Sequence, residues 1–186
     1  MPAWTRLLNL MLTTYSRVYP DFEGIGFDAV AIGTPATKLL AKAGVNFKVH
    51  EYAHDPASGS FGLEAAEKLG VNPDQVFKTL IVNVDEIYVV AIVPVTRQVS
   101  LKSLARMFGA KRSILTDPAT AARLSGYVVG GISPLGQKRQ LTTILAKSAI
   151  DFETIFVSGG RRGFDIEISP DALATLLSAT FADIAI

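Results

Sequence analysis

From Thr34 onward, apolar and polar positions fall into short periodic blocks, each closed by a glycine, a proline or a run of small polar residues. Thr34-Pro35 sets a capping side chain before a proline in the first helical turn, and Gly44 closes a helix carrying Leu39 and Leu40. Phe47–Tyr52 alternates as a strand, and a second helix is predicted over Gly62–Leu69, ended by Gly70. Phe77–Val84 and Ile87–Val95 are β-branched runs joined at Asp85-Glu86, which reads as a hairpin. Ser100 caps a helix running to Gly109, a strand follows over Arg112–Leu115, and Asp117-Pro118 opens a helix that ends near Gly126. Tyr127–Ile132 reads as a short strand entering a glycine-rich turn. Thr154–Val157 and Phe164–Ile168 form a hairpin around Ser158–Gly163, Ser169-Pro170 starts the last helix, and Phe181–Ile186 is a closing strand. Short helices alternating with hairpins predict one α+β domain on a curved mixed sheet.

Residues Met1–Gly33 follow a different pattern. Their one apolar cluster, Leu7–Leu12, is broken by Asn9, and Asp21, Glu23 and Asp28 follow before Ala29-Val30-Ala31. Trp4–Tyr15 fits either a short amphipathic helix or an unstructured extension, and no chemistry attaches to it. The apolar core of a secretory signal is not laid out there. The domain is therefore expected over residues 34–186.

Composition narrows the chemistry. Of 186 residues, 49% are hydrophobic and none is cysteine, so disulfides, thiolate metal sites and a protein thiol nucleophile are excluded. Two histidines, His50 and His54, make a poor metal site. No apolar run reaches membrane-spanning length. The net charge of +1 conceals an asymmetry. Arg97–Arg162 holds eleven basic and three acidic residues, a local +8, and the remainder carries −7. Such a field suits either a polyanionic partner or a merely solvated basic surface.

Four segments could carry chemistry. Lys78 stands at the mouth of an apolar strand, where a lysine either points to solvent or faces a polar pocket and meets a substrate oxygen. Gly130-Gly131-Ile132-Ser133-Pro134 is either a plain turn or a loop whose N–H groups bind an oxyanion, with Lys138 and Arg139 near enough in sequence to meet a phosphate. It matches neither a Walker loop nor a dinucleotide fingerprint. Ser158-Gly159-Gly160-Arg161-Arg162-Gly163 offers two arginines at a hairpin tip, and Asp165 and Glu167 share one face of the strand after it. That face is either solvated or turned to a pocket. His50 and Tyr52 share a strand face, whereas each histidine's neighbouring acid points away from it, so no triad emerges.

Taken in order, these segments resemble a known family. The matching motifs are Thr34-Pro35-Ala36, His50-x-Tyr52-x-His54-Asp55-Pro56, Val71 to Leu80 around Lys78, Gly126 to Gln137, Val157 to Glu167 and Phe181-Ala182-Asp183-Ile184. Together they resemble the YbaK-type aminoacyl-tRNA deacylases, in the Cys-tRNA(Pro)/Cys-tRNA(Cys) branch. The resemblance covers 153 residues, from Thr34 to Ile186, and Met1–Gly33 has no counterpart in it.

The resemblance implies a compact, barrel-like mixed sheet with surrounding helices, and a trans-editing hydrolase that uses no metal or cofactor. The substrate implied is mischarged Cys-tRNA(Pro), with Cys-tRNA(Cys) as a second substrate, in the cytoplasm and away from membranes. Prolyl-tRNA synthetase mischarges its tRNA because its pocket rejects near-isosteres weakly, and a transient complex with it is the partner expectation because the deacylase's own tRNA selectivity is expected to be loose. By the same resemblance Lys78 is the essential lysine, and Tyr52 and Phe61 are pocket aromatics. Gly130, Gly131, Ser133 and Pro134 form the G-x-x-x-P element, Ser158 and Asp165 complete the polar wall, and Lys138, Arg139, Arg161 and Arg162 meet tRNA phosphates. The family's cysteine branch lets the substrate thiol attack its own ester, which needs no protein nucleophile. Arg161 stands where relatives often carry lysine, and the Asp85-Glu86 turn is shorter than in some of them. The alternatives are a deacylase for Ala, Ser or Thr, and a non-catalytic module that binds the tRNA acceptor end.

Overall fold

The structure is a computed structural model that describes residues 33–186. The Trp4–Tyr15 helix considered above lies outside the described residues. Five helices and eight strands follow: α1 (Pro35–Ala43), β1 (Lys48–Glu51), α2 (Phe61–Leu69), β2 (Val76–Val84), β3 (Ile87–Pro94), α3 (Leu101–Met107), β4 (Ser113–Leu115), α4 (Pro118–Ser125), β5 (Thr142–Ala146), β6 (Ile155–Arg161), β7 (Phe164–Ile168), α5 (Pro170–Leu177) and β8 (Thr180–Ala182). Short 3-10 turns at Pro73–Gln75 and Lys147–Asp151 precede β2 and β6.

The predicted helix starts hold at the atomic level. Thr34, Ser100, Asp117 and Ser169 each accept a hydrogen bond from the backbone N–H three residues on. At α2 the cap is Ser60, so the helix begins at Phe61, one residue before the predicted start. Gly62 lies inside the first turn because a Cβ there would come within 2.2 Å of Val95 Cγ1. The glycine is a packing contact, not a boundary.

One mixed sheet holds all eight strands, in the order β1-β7-β6-β2-β3-β5-β8, with β4 joined to β2 off that path. The β2–β3, β6–β7, β1–β7 and β2–β4 pairs are antiparallel, and β2–β6, β3–β5 and β5–β8 are parallel. The main core gathers on β3, where Val89 to Val93 are all buried, with Leu40, Leu104, Leu145 and Leu173 packed around it. Strand β5 has no counterpart in the sequence reading. Thr143–Ala146 is buried throughout, so it shows no alternation to detect.

Two expectations are corrected. Tyr127–Ile132 is a turn and not a strand: Gly131 N donates to Val128 O (3.0 Å) and the buried Tyr127 hydroxyl donates to Leu135 O (2.7 Å). Only Tyr127 of its large apolar side chains is buried, held by local anchoring instead of by a ladder, and Val128 and Val129 are exposed. The second hairpin does not turn at its double glycine. β6 continues to Arg161, and its register shifts between Ser158 and Arg161. Gly159 and Gly160 sit in that irregularity, where a Cβ would meet the rings of Phe164 (2.2 Å) and Tyr127 (2.6 Å).

Candidate functional site

Strand β2 is paired with β3 along nearly its whole length, but two strands share its other edge. β6 meets that edge only at Val76 and Phe77, and β4 only at Val82–Val84. Just beyond β4, Thr116 N donates to Ile81 O (3.0 Å). Among the described residues no strand pairs with Lys78, Thr79 and Leu80 on that edge, and a cavity of about 350 Å³ opens at the break. Adjacent strand residues point to opposite faces. Because both Lys78 and Thr79 line the cavity, it wraps the unpaired edge and has walls on both faces of β2.

Register fixes which residues share Lys78's face. Val76, two residues earlier, packs with Ala65 and Ala66 of α2 and with Phe156 of β6. Ser158 has the parity of Phe156, Asp165 is its cross-strand partner, and His50 is the partner of Asp165 on β1. Tyr52 follows two residues after His50. The hairpin registers thus bring Lys78, Ser158, Asp165 and Tyr52 into one polar wall, and all four line the cavity.

Lys78 is half-buried, makes no ion pair among the described residues and donates only to Val95 O, at 3.4 Å. Burial pushes its ammonium below the ordinary lysine value. Asp165 is 7% exposed, and burial pushes its carboxyl up to about 7, against a smaller opposing pull from the Tyr52 hydroxyl. Tyr52 itself is raised by burial and by the Asp165 and Glu64 charges. The Ser158 hydroxyl accepts from Gly160 N at 3.4 Å.

The mouth of the cavity is built around Phe61. Gly130, at φ +88, lies so close that a Cβ would stand 2.7 Å from the Phe61 ring. On that ring the Arg162 guanidinium stacks at 4.9 Å, and its Nε and Nη2 donate to Val129 O at 3.2 and 3.0 Å. The His54 ring centroid is 5.3 Å from Phe61. The loop before α2 is tied down by Glu64, which accepts from His54 Nδ1 (2.8 Å) and Asp55 N (2.6 Å). Although burial pushes the Glu64 carboxyl up, the Asp55 N–H and the His54 ring hold it below its ordinary value.

The other expected residues divide. Arg161 lines the cavity, stacks on Phe164 at 4.4 Å and pairs with Glu51 at 3.0 Å. Gly131, Ser133 and Pro134 are buried behind the wall instead of lining it. Gly131 abuts the Arg161 backbone, and Ser133 accepts from Leu135 N (3.2 Å) through its hydroxyl and from Gln137 Nε2 (2.8 Å) through its carbonyl. They shape the loop that presents Gly130. Lys138 and Arg139 are exposed and off the cavity wall, their N–H groups closing on Ser125 O and Leu124 O at the end of α4. His50 donates to Glu167 (2.8 Å), so each histidine pairs with a glutamate distant in sequence, and not with its neighbour.

Sequence reading missed Glu64, Thr79 and Thr116. Glu64 was findable, since it stands three residues after Phe61 on the same face of a helix. Among the described residues no group of three or more His, Cys, Asp or Glu could hold a metal, and no helix is long and apolar enough to cross a membrane.

Known proteins match this chain in sequence and in fold. Residues 59–176 match the family described as aminoacyl-tRNA editing domain, a span that contains most of the cavity wall. The chain is 34% identical over 154 residues to an Enterococcus faecalis protein named "Putative Cys-tRNA(Pro)/Cys-tRNA(Cys) deacylase EbsC", covering 81% of this chain and 92% of that one. Two solved structures share the fold. One is described as a "putative trans-editing enzyme for prolyl tRNA synthetase" (TM-score 0.73, 22% identity, 88% of this chain and 99% of that one). The other is described as "hypothetical protein APE2540" (TM-score 0.75, 21% identity, 82% and 100%). The chain belongs to the aminoacyl-tRNA editing-domain family, within its YbaK/EbsC group of deacylases.

Proposed function

We propose that this deacylase hydrolyses mischarged Cys-tRNA(Pro), and Cys-tRNA(Cys) as a second substrate, using the cysteinyl thiol of the substrate as nucleophile. The observation that carries the reading is the polar wall around Lys78. A half-buried ammonium without an ion-pair partner among the described residues faces a cavity it shares with Asp165, Tyr52 and Ser158. Such a cation suits the phosphate of a terminal adenosine or the ester oxygen as negative charge develops on it. The Phe61 and Tyr52 rings supply flat surfaces for a base or ribose. A cavity of about 350 Å³ is of the size that encloses a small ligand.

In this reading the thiolate sulfur bonds to the ester carbonyl carbon, the ribose oxygen leaves and takes a proton, and water later opens the cyclic thiolactone. The protein's part is to hold the thiol and carbonyl in an attacking geometry. Both imidazoles are engaged with glutamates, which fits a route that asks for no protein nucleophile–base pair.

Cations outside the cavity would carry the rest of the tRNA. Arg161 and Arg162 are partly committed to Glu51 and to Val129 O, whereas Lys138 and Arg139 are exposed. The reading places all four against phosphates, makes residues 34–186 the editing domain, and puts the protein in the cytoplasm in transient contact with prolyl-tRNA synthetase. The test follows the half-life of Cys-tRNA(Pro) with wild type and with Lys78→Ala. Wild type should shorten it by orders of magnitude and Lys78→Ala should remove at least a hundredfold of that effect. Binding of Cys-tRNA(Pro) without acceleration by wild type would leave a binding module in place of an enzyme.

A further inference from the structure

The cavity has a second wall that the polar chemistry does not use. Thr79 leaves β2 on the face opposite Lys78, together with Ile81, which packs against Ala121 and Leu124 of α4. Thr116 stands across from Ile81, one step past the β2–β4 register, and is therefore diagonal to Thr79 on that same face. Both threonines line the cavity, and the residues around them there (Ile81, Leu115, Ala121 and Ile132) are apolar. Neither hydroxyl has a hydrogen-bond partner among the described residues, although both oxygens are shielded and Thr79 is 8% exposed. A buried hydroxyl without a partner costs free energy that an apolar isostere would not. Both threonines line one chamber, where a turn about χ1 would present each hydroxyl to a polar atom.

The strand edge leads into that chamber. Val76 O accepts from Val95 N on the β3 side, and Ile81 O accepts from Thr116 N on the open side. Alternation then turns the Thr79 N–H and C=O into the break, where no strand meets them. An aminoacyl ester held beside Lys78 would lay its α-carbon along this edge. Its side chain would then pass toward the far wall.

Resting on the deacylase reading above, we propose that Thr79 and Thr116 read the aminoacyl side chain. They select a short side chain ending in one hydrogen-bonding atom, a thiol or a hydroxyl, over a bare methyl. Lys78 and its wall act on the ester common to all aminoacyl-tRNAs. The two hydroxyls act only on what distinguishes them. A hydroxyl that donates to the cysteinyl sulfur also favours its thiolate, so selection and activation fall on the same contact.

The test measures kcat/KM for Cys-tRNA(Pro), and affinity for amide-linked, non-hydrolysable Cys-, Ser- and Ala-tRNA(Pro), with wild type, Thr79→Val, Thr116→Val and Thr116→Ser, with thermal melts to verify folding. Valine keeps the shape and removes the hydroxyl. The Cys:Ala affinity ratio should fall about fivefold to tenfold in each valine variant, the size of one lost hydrogen bond. Thr116→Ser should keep the wild-type ratio. If the valine variants melt like wild type and keep its Cys:Ala affinity ratio, or lose affinity for both in equal proportion, the two threonines do not read the side chain. If wild type does not deacylate Cys-tRNA(Pro), the deacylase reading fails, and this proposal with it.

Discussion

Two carboxylates lie two residues apart on the same face of β7 and have opposite fates. Asp165, at the cavity end, is pushed up to about 7 by burial. Glu167, nearer the outer end, is also pushed up by burial, but His50, Thr154 and Lys48 together hold it below its ordinary value. Its partners are close: His50 Nε2 at 2.8 Å, Thr154 Oγ1 at 2.9 Å and Lys48 Nζ at 3.6 Å. Asp165 has only the neutral Tyr52 hydroxyl to oppose its burial. Glu167 is a carboxylate the fold has satisfied. Asp165 is one it has left unsatisfied, and a buried acid pushed toward neutrality in a cleft is the pattern of a functional-site candidate.

The largest effect should come from removing that tension. A carboxyl raised in the folded state favours folding while protonated, so its burial costs stability as pH climbs from about 4 through about 7. Asp165→Asn should therefore melt higher than wild type at pH 8, by about 2 kcal/mol or more, and the difference should vanish near pH 4. Its deacylation rate should fall at least tenfold. A melting difference that is the same at both pH values would erase the contrast with Glu167.

A smaller effect is expected at Glu64, the second satisfied carboxylate. It is 6% exposed yet lies in the outer layer of the molecule, covered mainly by the loop it holds. Glu64→Gln keeps the shape and loses the charge, and should cost about 1–2 kcal/mol at pH 7. Through His54 and Phe61 it should also raise KM more than it lowers kcat. Equal stability with unchanged KM would mean that the loop does not depend on this anchor.

How much of this was legible follows from what each signal depends on. Helix starts were read correctly because a cap and a proline are local, as at Thr34-Pro35 and Asp117-Pro118. The Asp85-Glu86 hairpin was legible for the same reason, although Asp85 takes a positive φ that glycine would meet more easily. Strand β5 was invisible because both its faces are buried. Tyr127–Ile132 misled because a buried tyrosine anchored by its hydroxyl leaves the same apolar trace as a strand. Lys78 and Asp165 stood out from their own surroundings with a solvent-facing alternative left open, and the resemblance supplied the pocket roles of the polar wall. That Asp165 and Lys78 share a face came only from the β6–β7 and β2–β6 registers. The break in the sheet was unreadable, since it depends on where β6 and β4 stop against the same edge. Thr79 therefore looked like an ordinary strand residue.

The smallest effect sharpens the comparison from its quiet side. Glu167 is lowered in the folded state, so its contribution is present above the unfolded carboxyl value near 4.5 and is lost as pH falls through its folded value. Glu167→Gln should cost roughly 0.5–1 kcal/mol at pH 7, because the Glu167 and His50 side chains are 14% and 30% exposed and solvent screens the pair. Near pH 3 the cost should shrink toward zero, the reverse of the trend expected for Asp165→Asn. Melting curves of the two variants across pH 3–8 should therefore diverge from wild type in opposite directions at the neutral end. Deacylation by Glu167→Gln should remain within about twofold of wild type, since its carboxyl is outside the cavity wall. A tenfold loss of activity there would extend the working site along β7, and the division between a satisfied and an unsatisfied carboxylate would no longer mark its boundary.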